Sequence, residues 1–207
     1  VENKPGATGA IGATYVKNTP ADGYTLLVAS IGVWAVNPYL QKKLTYDPSR
    51  DFDLLTVAVR APNVLVVSPN LPVNSVADLV AYLKKNPEKT SFGTSGAGSS
   101  DHLTTALFWQ KTGTTGLHVP YKGGAPAMTD LLGGYVDLMF SDAPTALPYV
   151  RSGRLRALGI STPRRSELLP DLPTIAEAGV PGYSAYSWGG ISVRAGTPPE
   201  VVARLNA

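Results

Sequence analysis

From Thr90 onward the chain alternates short apolar runs with helix-like stretches, and this alternation constrains its fold more than any other feature. Thr90–Thr94, Leu117–Pro120, Val136–Phe140, Leu155–Ser161 and Ser187–Val193 read as strands. Asp101–Thr112, Pro126–Leu132 and Thr145–Ser152 read as the helices between them, with Gly113 and Gly133-Gly134 as stop signals. A strand–helix–strand rhythm predicts an α/β fold whose mixed, mostly parallel sheets are covered on both faces. Upstream, Tyr24–Ser30 and Asn63–Ser68 read as further, buried strands. Ser75 and Asp78 have capping-box spacing ahead of the apolar stripe Val76, Leu79, Val80 and Leu83, so a helix starts there and runs to Asn86-Pro87. Thr162–Tyr183 is rich in proline and charge, with one short helical piece expected near Thr174–Ala178. Thr197 is expected to cap a last helix, with Pro198 in its first position and Glu200 completing the box.

Composition removes several function classes. The 207 residues are 43% hydrophobic and 16% charged, which is the balance of a packed globular chain. The net charge is only +3 and no basic stripe is visible, so no nucleic-acid partner is expected. No apolar run approaches the about 18 residues needed to cross a bilayer. There is no cysteine, so neither disulfides nor thiolate metal sites can form. That composition suits an oxidising compartment such as the periplasm. Two histidines and no cysteine make no spaced ligand set, so neither a metal nor a cofactor is expected.

Four turns stand out: Gly6–Gly12, Ser30–Val33, Thr94–Ser100 and Ser141–Thr145. Each is built from small residues ahead of a helix-like run. Such a turn aims backbone N–H groups and the positive end of a helix dipole at whatever lies above it. Together they suggest an anion-binding protein that leaves its guest chemically unchanged, with no catalytic residues. Two other chemistries were weighed. Gly93-Thr94-Ser95-Gly96-Ala97 approximates a nucleophile elbow, but its last glycine is Ala97 and no histidine follows His118. A serine hydrolase built on Ser95 is therefore the weaker alternative. Gly96-Ala97-Gly98 hints at a dinucleotide fingerprint, but Asp101 occupies the third glycine position, where an acid would repel phosphate.

The order of several longer motifs resembles the substrate-binding proteins of tripartite tricarboxylate transporters, the Bug-type extracytoplasmic solute receptors. The matching stretches include VENKPGATGAIG (1–12), PADGYTLL (20–27), NPYLQKKLTYDP (37–48), PNVLVVSP (62–69), HVPYKGGAPA (118–127), LPDLPTIAEAGVPG (169–182) and AGTPPEVVARL (195–205), and they cover essentially the whole chain. The resemblance implies a two-lobed, type II periplasmic binding fold closing on its ligand, and a monomer that delivers an organic carboxylate to membrane transporter subunits. It also implies that a first strand and helix precede Val1 and that a helical tail follows Ala207. One lobe is expected to hold residues 1–61 and 190–207, the other residues 62–189. A regulator's effector-binding domain, which uses a similar fold, is the remaining alternative.

The resemblance also carries over a ligand-binding set: Thr8 and Gly9; Ser30, Gly32 and Val33; Ser95, Gly98, Ser99 and His102; Tyr121; and Ser141 with Asp142. Val33 stands where a threonine is usual, and Ser141 where amino-acid-binding members often have aspartate. Those two substitutions point away from recognition of a ligand amine.

Overall fold

The computed structural model describes all 207 residues, which divide into two units. One comprises Val1–Arg60, Gly98–Ser100 and Trp188–Ala207; the other comprises Ala61–Ala97 and Asp101–Ser187.

In the first unit, Ala7–Gly9 forms a tight turn that leads into α1 (Ala10–Lys17), followed by β1 (Leu26–Ser30). The chain enters helical conformation at once after Ser30, through a π-helical segment (Gly32–Val36) and α2 (Asn37–Leu40). β2 (Phe52–Val67) begins in this unit and ends in the other. The strands near the end of the chain return here as β7 (Tyr186–Arg194), antiparallel to β1 and neighbouring β2, before α7 (Pro199–Leu205). Alternation along β1 turns Leu27 and Ala29 to one face, where they pack with Ala10, Ala13 and Val16 of α1 and with Val33, Trp34, Tyr46 and Phe52. Trp34 belongs to this core: it meets Phe52 edge-on at 5.6 Å and donates its indole N–H to Ala29 O at 3.0 Å.

The second unit follows the order expected from the alternation: α3 (Val76–Lys85), β3 (Ser91–Thr94), α4 (Ser100–Thr112), β4 (Leu117–Pro120), α5 (Gly124–Gly133), β5 (Leu138–Asp142), α6 (Ala143–Arg151) and β6 (Arg156–Ile160). Val64–Val67 of β2 are all fully buried, and their alternation divides two cores. Leu65 and Val67 pack with Leu79, Leu83, Phe108, Phe140 and Tyr183. Val64 and Val66 pack with Ala127, Met128, Leu131, Ala143 and Ala146. A strand buried on both faces must be apolar at every position, which is why Asn63–Ser68 shows no alternation of polarity.

Parallel pairing holds where the alternation is regular, between β3 and β4 and between β3 and β5. β2 instead pairs antiparallel with both β5 and β6, so the sheet is mixed. Of three local expectations, one holds and two are corrected. Ser75 caps α3 as expected, accepting from Asp78 N at 3.0 Å. Thr197 does not cap α7: its hydroxyl turns back to Arg194 O at 2.7 Å, and the helix starts one residue later, at Pro199. Thr174–Ala178 makes one turn and stops, although Thr174 and Glu177 exchange the two hydrogen bonds of a capping box. The Val180–Tyr183 stretch that follows is drawn into the core, where Val180 and Tyr183 are buried, and the turn cannot propagate.

Candidate functional site

In the first unit, Thr8, Gly9, Gly32, Val33 and Gly98 are drawn into one patch of backbone. A Cβ added to Gly32 would lie 2.6 Å from the Thr8 methyl and 3.5 Å from Gly98 O, and one added to Gly9 would lie 2.5 Å from Val33 Cγ2. No side chain fits at either place, so both glycines are required by the close approach. Ala7 and Thr8 adopt left-handed backbone at φ 47° and 52°, which costs a non-glycine residue on the order of 1 kcal/mol or more each.

That turn is held by α2. Gln41 Nε2 donates to Ala7 O and Asn37 Nδ2 donates to Thr8 O, each at 3.1 Å. Asn37, only 1% exposed, also donates to Tyr46 Oη at 3.1 Å, and Tyr46 donates to Val33 O at 2.8 Å. One amide and one phenol therefore tie the Thr8–Gly9 turn to the start of the π-helical segment at Gly32–Val33. Burial pushes the Tyr46 phenol up, so it stays a donor at neutral pH. Gly9, Ser30 and Val33 line a groove of about 900 Å³ along β1, with Lys4, Tyr15 and Val28 among its other walls. Val33's own side chain is buried in the core, while Ser30 is exposed. We predict that Tyr46→Phe, which leaves Val33 O without its donor, costs about 1–2 kcal/mol in a denaturant melt.

In the second unit the centre is Asp101, in the first turn of α4 and only 6% exposed. Its carboxylate accepts from Ser95 N and, at 2.7 Å, from Ser95 Oγ. The loop is fastened on its other side as well: Gly123 N donates to Ser95 O at 3.0 Å and Tyr121 N to Thr94 O at 2.9 Å. The Ser95 hydroxyl thus spends its proton on an acid, not on a histidine, which is the wrong arrangement for a serine nucleophile.

His102 is half-buried and lies against His118 of β4, the rings stacked at 4.1 Å and 13°. His118 Nε2 sits 2.7 Å from Thr94 Oγ1. Burial lowers the pKa of both rings, and for His118 the neighbouring His102 lowers it further, against an opposing pull from Asp101. Both are therefore neutral at pH 7. Asp142 begins α6 with an exposed carboxyl group, whose pKa is raised by partial desolvation and then by the charge of Asp101, against a hydrogen bond from Ser187. Ser141 is 5% exposed, and its hydroxyl approaches only Asp142 O, at 3.4 Å. Tyr121 donates its hydroxyl to Asp130 at 2.7 Å; burial, then this partner, pushes the phenol up to about 12. Of the residues expected in this unit, Ser95, His102 and Asp142 gather around Asp101, whereas the side chains of Tyr121 and Ser141 are occupied elsewhere. Ser99 is 8% exposed.

Four residues that shape these places were not among those expected: Asn37, Tyr46, Asp101 and His118. Asn37, Tyr46 and His118 lie inside the quoted motifs, so position within a motif was the available signal. Asp101 stands in the sequence as the first residue of a helix and an acid unfit for phosphate; its use as an acceptor for the preceding turn shows only in the folded chain.

The family described as "Tripartite tricarboxylate transporter family receptor" matches residues 1–207. Among solved structures, the chain is similar to R. palustris Rpa4515 with adipate, at 43% identity and a TM-score of 0.95 over 99% of this chain and 69% of that one. It is also similar to periplasmic binding protein BugD (37%, TM-score 0.91, 99% and 68%). MatC (Rpa3494) from Rhodopseudomonas palustris with bound malate is likewise similar (31%, TM-score 0.89, 97% and 68%). The chain spans 62% and 64% of the lengths of two curated relatives, each 38% identical to it.

Proposed function

Because the chain belongs to the tripartite tricarboxylate transporter receptor family, we propose that it captures a small organic carboxylate in the periplasm and delivers it to membrane subunits of that transporter class. No helix is long and apolar enough to cross a membrane. The observation that carries the reading is the Ser95 turn, held open by Asp101 at the start of α4, in a chain similar to proteins solved with adipate and with malate. Turns fixed in advance lose little entropy when a ligand arrives, which is how neutral N–H and hydroxyl groups hold an anion without an arginine. Thr8, Gly9, Ser30, Gly32 and Gly98 are the donors and backbone positions proposed in the first unit. Ser95, Ser99, His102 and Asp142 are those proposed from the second turn set. The hydrolase alternative has nothing in its favour at Ser95, whose hydroxyl is already bound to an acid. Calorimetric titration of the full-length protein with adipate, malate and a panel of aliphatic and aromatic acids should give saturable heat with at least one. A flat titration across the whole panel would reject the reading.

A further inference from the structure

The stacked histidines lie directly behind the Ser95 turn, and the proposed set of donors leaves one of them, His118, without a role. His102 stands on the first turn of α4 and His118 on β4, with ring centroids 4.1 Å apart and planes 13° from parallel. Thr94, the residue before Ser95, is hydrogen-bonded to His118 Nε2 at 2.7 Å. The ring pair is thus joined to the turn from below, through Thr94, and from the side, through Asp101, which precedes His102 and grips Ser95. Asp101 from α4 acts on both rings, and His102 acts on His118. Asp142 at the start of α6 joins the cluster through its repulsion by Asp101.

Two imidazolium ions at this separation would repel by several times the thermal energy in a half-buried place, so the pair can hold one proton but not two. Without ligand, burial keeps both rings neutral at pH 7. A carboxylate arriving at the turn brings negative charge to a place that already holds Asp101 and Asp142, and the cheapest compensation is one proton on the neighbouring rings. We propose that the His102–His118 pair supplies the positive charge that partners the ligand's carboxylate, taking up one proton as the anion binds. The inference rests on the carboxylate-binding reading and assigns a role to His118. The linkage sign follows: ligand raises the affinity of the pair for its proton, so acid raises the affinity of the protein for its ligand.

The test is calorimetric titration of the full-length protein with adipate, or with malate if adipate gives no heat, in phosphate and in Tris buffers at pH 6.5 and pH 8. The difference between buffers counts protons taken up. We expect about half a proton or more per ligand at pH 6.5, close to none at pH 8, and an affinity about fivefold higher at the lower pH. In His118→Gln and His102→Gln the uptake should vanish and the affinity become flat with pH. Since the chain has only two histidines, the ring resonances of the unaltered protein provide a second reading by NMR: their titration should move to higher pH when ligand is added. Binding without proton uptake overturns the inference and leaves the carboxylate reading standing. Uptake that persists when both are replaced, in His102→Gln with His118→Gln, also overturns it and transfers the proton to Asp142. Absence of heat with every acid at both pH values removes the carboxylate reading and this inference with it.

Discussion

Asp101→Ala is expected to destabilise the protein by about 2–3 kcal/mol and to weaken carboxylate binding by about tenfold or more. The carboxylate is almost wholly buried, and two donors from Ser95 converge on it. Hydrogen bonds to a charged group are worth about 1.5–3 kcal/mol, and the larger part of the loss is the penalty of donors left unpaired. A second effect opposes the first in binding: removing a negative charge beside an anion site should help the anion. At an effective dielectric of about 20 that gain is at most about 4 kcal/mol, for charges about 4 Å apart, and it falls with distance. The loss of a fixed turn outweighs it, because a mobile Ser95 loop must be ordered again by the ligand at about 1–2 kcal/mol for each residue. Asp101→Asn separates the two effects, since it removes the charge and keeps one acceptor, and it should lie between Ala and the unaltered protein in both measurements. Tighter binding in Asp101→Ala would show that the charge, and not the clamp, governs the site.

Phe108→Ala should cost about 3–5 kcal/mol. For a chain of this length that corresponds to a fall of roughly 10–15 °C in melting temperature. Phe108 is fully buried on the inner face of α4, tilted against Phe140 of β5 at 5.9 Å and edge-on to Tyr183 at 6.2 Å. Tyr183 in turn donates its hydroxyl to Thr104 O at 2.8 Å, within the same helix. These contacts seat the helix whose first turn carries Asp101 and His102. The expected loss therefore reaches binding too: once the cavity loosens α4, affinity should fall even though Phe108 touches no proposed ligand atom. Ile or Leu at this position should recover much of the stability, because volume is largely restored. A melt within 1 °C of the unaltered protein would show that α4 is held by something other than this core.

Much of the element order was legible along the chain because it rests on local physics. The Ser75 cap, the apolar stripe of α3 and the glycine stops after α4 and α5 act over three or four residues, and the structure places those helices within about two residues of expectation. The apolar run at Asn63–Ser68 reads as a buried strand and is one, whereas Tyr24–Ser30, read the same way, leaves Tyr24, Leu26 and Val28 exposed. The same local signals misled at Thr174–Ala178, where a satisfied capping box had no room to grow, and at Thr197, whose hydroxyl had a closer acceptor behind it.

The site divides in the same way. Sequence alone determined which segments are rich in small residues, because glycine, serine and threonine are chosen for backbone freedom and for hydroxyl groups; of the four read as turns, Ser30–Val33 and Ser141–Thr145 pass from strand directly into helix. What each turn is fastened to could come only from the tertiary structure. Asn37 reaches back 29 residues to Thr8 O, Thr94 reaches forward 24 to His118, and β2 pairs with β5 and β6 from far along the chain. Those pairings are fixed by packing and by the need to satisfy buried donors and acceptors. Neither condition exists until the chain has folded.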